Sequence, residues 1–289
     1  MISRLDKTHL EAYERDGFVC VPGFFDASEL KPLLDAYRED PSVNGTMYGM
    51  VDEYGSPHPI CIWTELGDDI IGMIPRMTRM VDATEALMGE SCYHWHSKMT
   101  VKPPGCNAHV DWHQDFASWY DDGVPYPRLL TIGIAIEPTT KANGCLQLVP
   151  GSHRIGRMDH VDTGSFSERV EHAQKTLGLV HCEMGAGDAV FFHCNTLHGS
   201  AGNNSESSRL MLFASYNAVS NEPLPGAQGA NEEGRFMNIT AKERDYRPID
   251  KIPDDVLSRK QFKSAFAHTP LKRPITELDG TFTQAAELR

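Results

Sequence analysis

From residue 93 onward the chain runs through short segments whose apolar residues recur every second position, and this pattern restricts the fold more than any other feature. Residues 93–101, 129–136, 144–149, 189–193 and 210–217 are rich in β-branched and aromatic side chains and are separated by Gly- and Pro-containing turns. In the second of these, Leu130, Ile132, Ile134 and Ile136 alternate with Leu129, Thr131, Gly133 and Ala135. Short strands with long connections predict a mainly β protein with flanking helices. Its core is expected to be a double-stranded β-helix, the jelly-roll or cupin-like arrangement. We expect a single domain over 1–289, with a mostly helical part at 1–90, the jelly-roll core at 91–220, and a loop and C-terminal extension at 221–289.

The N-terminal third carries helical signals. Asp6 or Thr8 caps a helix through Arg15, and a strand follows at 17–23. Asp26 to Leu30 opens a second helix with Leu30, Leu33, Leu34 and Tyr37 on one face. Residues 41–59 read as loop, and 68–88 as one long amphipathic helix. Two polar stretches, 153–176 and 222–243, are candidates to lie over a pocket. Pro253-Asp254-Asp255 caps a short helix ahead of a polar tail.

The chemistry concentrates in His113-Gln114-Asp115, followed far downstream by His198-Gly199-Ser200 and Arg209. Read as an extended segment, His-x-Asp puts an imidazole and a carboxylate on one side of a strand. His198 arrives from another strand. Two histidines and one carboxylate on one face of a metal form the facial triad of non-heme Fe(II) oxygenases, which leaves three positions of an octahedron open. Arg209 returns to the same region and suits bidentate binding of a carboxylate. Other histidines compete. His193 lies five residues before His198, but the Gly-Ser and Arg that complete the pocket follow His198. His109 is too far from Asp115 for the His-x-Asp spacing. His94 and His96 form a period-two pair that faces a pocket or the core, and His153 follows a Pro-Gly-Ser turn. Lys98 and Lys102 orient an anionic group or are surface charge. Asp188 reads as a turn residue.

Taken with Asn143-Gly144 and Pro150-Gly151-Ser152-His153, these motifs resemble the phytanoyl-CoA dioxygenase family of Fe(II)/2-oxoglutarate oxygenases, and within it the ectoine hydroxylase branch. The resemblance covers about residues 93–216. It implies that His113, Asp115 and His198 bind iron, and that Arg209 and Ser200 hold the distal carboxylate of 2-oxoglutarate. Thr100 stands where the branch has an Asn near the cosubstrate. Trp119, Phe192 and Phe213 match positions that line its substrate pocket. The chain departs from the branch at His96, where the branch has Gln, and at Ile132, where it has Ser. Because polar contacts carry discrimination, the substrate is not assigned as ectoine. The resemblance implies use of O2, decarboxylation of 2-oxoglutarate to succinate, and hydroxylation of an unactivated C–H. Related halogenases have Gly or Ala at the position of Asp115, so the retained carboxylate points to hydroxylation. The expected substrate is a small molecule, an amino acid or a similar polar or zwitterionic metabolite. A larger hydrophobic or fatty acyl substrate is the first alternative, which a wide apolar mouth would favour. A jelly-roll protein that holds metal or ligand without turnover is the second, and the open iron positions oppose it.

Composition excludes other classes. With 27 basic and 40 acidic residues the formal charge is −13, which disfavours nucleic acid and a ligand as phosphate-rich as a coenzyme A thioester. Seven cysteines with no Cys-x-x-Cys pair fit reduced thiols. No apolar run reaches the ~18 residues of a membrane span, and a cytoplasmic protein is expected. The oligomeric state is left open, a homodimer included.

Overall fold

A computed structural model describes residues 5–39, 48–51, 56–64, 66–158, 165–224 and 246–259. The expected β core is present as two antiparallel sheets with helices flanking the larger one. The elements, in chain order, are α1 (Lys7–Asp16), β1 (Phe18–Val21), α2 (Lys31–Glu39), β2 (Tyr48–Val51), β3 (Pro57–Trp63), α3 (Ile70–Met73), a 3-10 turn (Ile74–Arg76), α4 (Thr78–Met88), β4 (Cys92–Lys102) and β5 (Val110–His113). They continue with α5 (Asp115–Asp121), β6 (Leu129–Ala135), β7 (Leu146–Leu148), a 3-10 turn (Ser152–Arg154), α6 (Ser165–Leu177), β8 (Val180–Cys182), β9 (Ala189–His193), β10 (His198–Ser200), β11 (Arg209–Ala218) and α7 (Val256–Arg259). The major sheet has the order β1-β9-β6-β11-β4-β3-β2, and the minor sheet β5-β10-β7-β8.

Side-chain parity assigns the two faces of the major sheet. Leu130, Ile132 and Ile134 of β6, Phe191 of β9, Leu210, Leu212 and Ala214 of β11, and Met99 and Val101 of β4 point outward. There they join Leu33, Ile70, Ile74, Met77, Met80 and Val81 in one buried core beneath the helices. Each fully buried Leu, Ile or Phe of this layer contributes about 1.5–3 kcal/mol. The alternate residues face the minor sheet, and the candidate site lies on that inner face.

Several N-terminal expectations are corrected. The helix capped at Asp6 forms as expected, but 26–30 is a turn and α2 starts only at Lys31. Asp26 accepts hydrogen bonds from the Ser28 amide at 2.8 Å and the Ser28 hydroxyl at 2.6 Å, a local arrangement that competes with helix. The stretch expected as loop contains β2 and the first residues of β3. Pro57 and Pro59 misled the reading: they lie where β3 pairs with β2 alone, since pairing to β4 begins at Ile60 and a proline there leaves no ladder bond unmade toward β4. The long helix expected at 68–88 is split. Pro75 sits in a 3-10 turn and Met77 is extended (ψ 138°), so a second helix starts at Thr78. It ends at Gly89, whose φ of 75° an L side chain resists.

Of the two stretches proposed to cover a pocket, 222–243 lies outside the described residues from 225 on, as does the tail beyond 259. The first contains α6, a surface helix. Its Val170 and Ala173 pack with Val149, Met158 and Leu197. The cysteines among the described residues are free, and the sulfurs of Cys20 and Cys182 meet at 3.0 Å. No helix among the described residues is long and apolar enough to cross a membrane.

Candidate metal and cosubstrate site

Three side chains converge between the sheets. His113 ends β5 and pairs in register with His198, the first residue of β10. Their rings lie 4.1 Å apart. Asp115 is not on a strand. Gln114 is extended (φ −112°, ψ 129°), and Asp115 opens α5. The single extended residue preserves the parity expected of a strand, so the carboxylate still reaches the two imidazoles. Asp115 Oδ1 lies 3.6 Å from His113 Nε2 and 3.8 Å from His198 Nε2. One ligand atom from each residue lies within 4.8 Å of the others, and among the described residues these form a group able to hold a metal ion.

The imidazoles are oriented by backbone. His113 Nδ1 donates to the Asp111 carbonyl at 2.7 Å, and His198 Nδ1 to the Thr196 carbonyl at 2.8 Å. A carbonyl only accepts, so both Nδ1 atoms are protonated and both Nε2 lone pairs face the shared centre. Burial, with the neighbouring His113, pulls His198 down to about 3, which keeps it a neutral ligand. For Asp115, burial pushes upward, but Lys98, His198 and His113 prevail and hold its carboxyl well below the usual range.

Two groups of residues that the sequence reading did not assign hold Asp115 in place. Thr131 Oγ1 donates to Asp115 Oδ2 at 3.3 Å and lies 2.8 Å from Ser215 Oγ, which therefore donates to it. Gln114 points the opposite way. Its amide donates to the carbonyls of Gly156 and Asn195 and accepts from the Met158 amide, which pins the peptide between the two ligands. The signal for Thr131 was available in its inward parity on β6; small hydroxyl residues carry no pattern of their own.

Arg209 is 2% exposed. Its Nη2 contacts Thr100 Oγ1 at 3.5 Å and Met211 Sδ at 3.2 Å, while Nε and Nη1 have no partner among the described residues. Burial lowers this guanidinium to about 10. A buried cation with two idle donors is costly unless an anion completes it, so this arrangement fits a bound carboxylate. Ser200, also buried, accepts a hydrogen bond from Lys102 Nζ at 2.8 Å.

The remaining predicted residues line the same face. On β4, His96, Lys98, Thr100 and Lys102 follow one another at period two. His96 lies 5.6 Å from the Trp119 ring, and Lys98 Nζ 5.4 Å from the Phe213 ring centre. Phe192 packs 4.8 Å from His198 and 6.5 Å from Phe213. Gly133 makes room for Phe213, because a Cβ there would meet the ring at 2.8 Å. Ile132, where the branch has Ser, faces the helices in the outer core, away from the space between the sheets. The competing histidines are placed elsewhere. His193 is half-buried, accepts from the Asn195 amide, and lies tilted against His153 at 5.6 Å. His94 bonds Thr64 and Ser97, and His109 is exposed.

Comparison with known proteins extends this picture. The model of the family described as Phytanoyl-CoA dioxygenase (PhyH) matches residues 13–211. The ectoine dioxygenase of Bordetella parapertussis is 27% identical over 267 residues, covering 86% of this chain and 87% of its own. That of Stutzerimonas stutzeri is 28% identical over the same span and shares. A crystal structure of EctD from S. alaskensis with 2-oxoglutarate and 5-hydroxyectoine superposes with a TM-score of 0.71 at 24% identity, covering 88% of this chain and 89% of that one. This last likeness speaks for the fold.

Proposed function

This chain belongs to the phytanoyl-CoA dioxygenase (PhyH) family, and from that premise we propose that it is an Fe(II)- and 2-oxoglutarate-dependent dioxygenase that hydroxylates a small polar metabolite. The observation that carries the reading is the pairing of a two-histidine, one-carboxylate centre with a buried guanidinium whose Nε and Nη1 have no hydrogen-bond partner among the described residues. His113, Asp115 and His198 supply the nitrogen and oxygen donors suited to Fe(II). When bound, Fe(II) supplies the oxygen activation that couples decarboxylation of 2-oxoglutarate to C–H hydroxylation. Relatives named ectoine dioxygenase support the same class.

The chain's own groups divide the remaining work. Arg209 and Ser200 bind the remote carboxylate of 2-oxoglutarate and fix its direction, with Thr100 beside them. Thr131 and Ser215 keep Asp115 aimed at the centre. Phe192 covers one side of His198 and excludes water. His96, Lys98, Trp119 and Phe213 form the substrate wall. An ammonium over the Phe213 ring, with the Trp119 ring against His96, suits a small molecule with an anionic group and an apolar or cationic body. Four polar or charged side chains along β4 oppose a fatty acyl substrate.

The test is substrate-dependent succinate formation by the Fe(II)-loaded protein across amino acids, their cyclic derivatives, ectoine and fatty acyl compounds. Stimulation confined to small carboxylate-bearing compounds supports the reading. Stimulation by acyl chains alone would replace it.

A further inference from the structure

The sandwich has an open side where two edge strands meet. β1 borders the major sheet and β8 the minor sheet, and no backbone ladder joins them among the described residues. Val19 and Val21 of β1 belong to the outer core and Phe18 to the cluster between the sheets. Strand parity therefore turns Cys20 inward with Phe18. Cys182 of β8 lies in that same inner cluster, with Leu146, Met184 and Phe192. The two sulfurs meet at 3.0 Å across the open side, from positions 162 residues apart in the chain.

The pair is unequal in access and in acidity. Cys20 is exposed and Cys182 is buried. A hydrogen bond from Cys182 lowers the Cys20 thiol from its ordinary value, against burial and the Asp188 carboxylate. The same contact, together with burial, pushes the Cys182 thiol up. The thiolate is the reactive form of cysteine, so Cys20 is the sulfur that an oxidant from solvent meets first. Cys182 waits in contact with it. Burial raises the thiols of Cys92, Cys145 and Cys194, which withholds them from the same chemistry.

We propose that Cys20 and Cys182 are a modification site, oxidised by hydroperoxides to a reversible disulfide that clamps the open side of the sandwich. The Cys20 thiolate attacks one oxygen of hydrogen peroxide. The O–O bond breaks, the leaving hydroxide takes up a proton as water, and Cys20 becomes a sulfenic acid. Cys182 Sγ then attacks Cys20 Sγ. The S–S bond forms as the S–O bond breaks, and the leaving hydroxide takes the Cys182 proton as a second water. Two thiols are oxidised and one peroxide is reduced; a dithiol reverses the bond by exchange. The bond closes a long loop, which restricts the unfolded chain. It also fixes β8 against β1, in the cluster that contains Phe192. The site works independently of the iron centre.

The test treats the reduced full chain, freed of metal by a chelator, with hydrogen peroxide and maps its peptides by mass spectrometry without reduction. The wild type is expected to lose the two thiol hydrogens, to show a bond between Cys20 and Cys182, and to recover both thiols in dithiothreitol. Its thermal midpoint should rise by about 5–15 °C on oxidation. Cys182→Ala should stop at a sulfenic acid on Cys20, trapped by dimedone. Cys20→Ser, a change at an exposed position, should leave Cys182 a thiol and gain no midpoint, and it serves as the test if Cys182→Ala does not fold. An unmodified Cys20, or a bond from Cys20 to another cysteine or to a second copy of the chain, would overturn the site. A Cys20–Cys182 bond without the rise in midpoint would overturn its role as a clamp.

Discussion

At the level of single residues, the account turns on charges that are buried and aimed. Arg209→Ala should raise the 2-oxoglutarate dissociation constant by about a hundredfold or more, because it strands a buried carboxylate. Iron retention should change by less than about threefold, since Arg209 touches none of the three ligands. Equal loss of both, measured by titration and by metal analysis after gel filtration, would make its role structural. The sequence made the ligands legible because they sit in compact motifs that few other chemistries use. Their supports were not. Thr131 and Ser215 are small hydroxyls on strands, where only the partner across the sheet reveals a role. Ile132 misled in the opposite way. It marks a departure from the branch, which has Ser there, but one step along a strand reverses the face, and its neighbours Thr131 and Gly133 are the residues that look inward.

At the level of elements, the inner face of the major sheet is shaped by what is small as much as by what is polar. Gly133 of β6 lets the Phe213 ring of β11 lie against it, with Val190 also close. Gly133→Ala should displace that ring, destabilise the protein by about 1–3 kcal/mol, and raise the KM for the primary substrate more than that for 2-oxoglutarate. Unchanged KM values for both, with stability lost, would remove Phe213 from the substrate wall. Strands with strong alternation were readable, from β4 to β11. The strands β2 and β3 were not, because prolines mark loops far more often than a stretch of strand with one partner. The break in the 68–88 helix was hidden for a related reason. Apolar spacing stays near helical across Pro75, while the missing N–H and the extended Met77 redirect the chain. Asp115 was expected on a strand and starts a helix, yet it reaches the site because one extended residue sets the parity.

At the level of the whole molecule, histidines couple the fold to pH. Burial and the neighbouring His153 pull His193 down to about 4 from an ordinary value near 6.5. Below pH ~6.5 the unfolded chain takes up a proton that the folded one refuses, until about pH 4. Stability contributed by this group is therefore complete above pH ~6.5 and falls as pH falls, by ~3 kcal/mol over the window. In the metal-free protein His198 acts in the same direction. Urea midpoints between pH 7 and 4.5 should fall for the wild type and fall less steeply for His193→Gln, whereas parallel curves would place the acid sensitivity elsewhere. That the chain is a double-sheet β protein was legible from alternation alone. Which residues share the space between the sheets was not, because register is fixed by pairings hundreds of ångströms of unfolded chain apart.

The central claim is that two imidazoles and one carboxylate hold a single ferrous ion that a keto acid then chelates. Anaerobic absorption spectroscopy of the Fe(II)-loaded protein titrated with 2-oxoglutarate tests it most directly. We predict a weak visible charge-transfer band that saturates with one equivalent of 2-oxoglutarate in the wild type and is lost or shifted in Asp115→Ala. A folded wild-type protein that retains iron yet shows no band at saturating 2-oxoglutarate would contradict it.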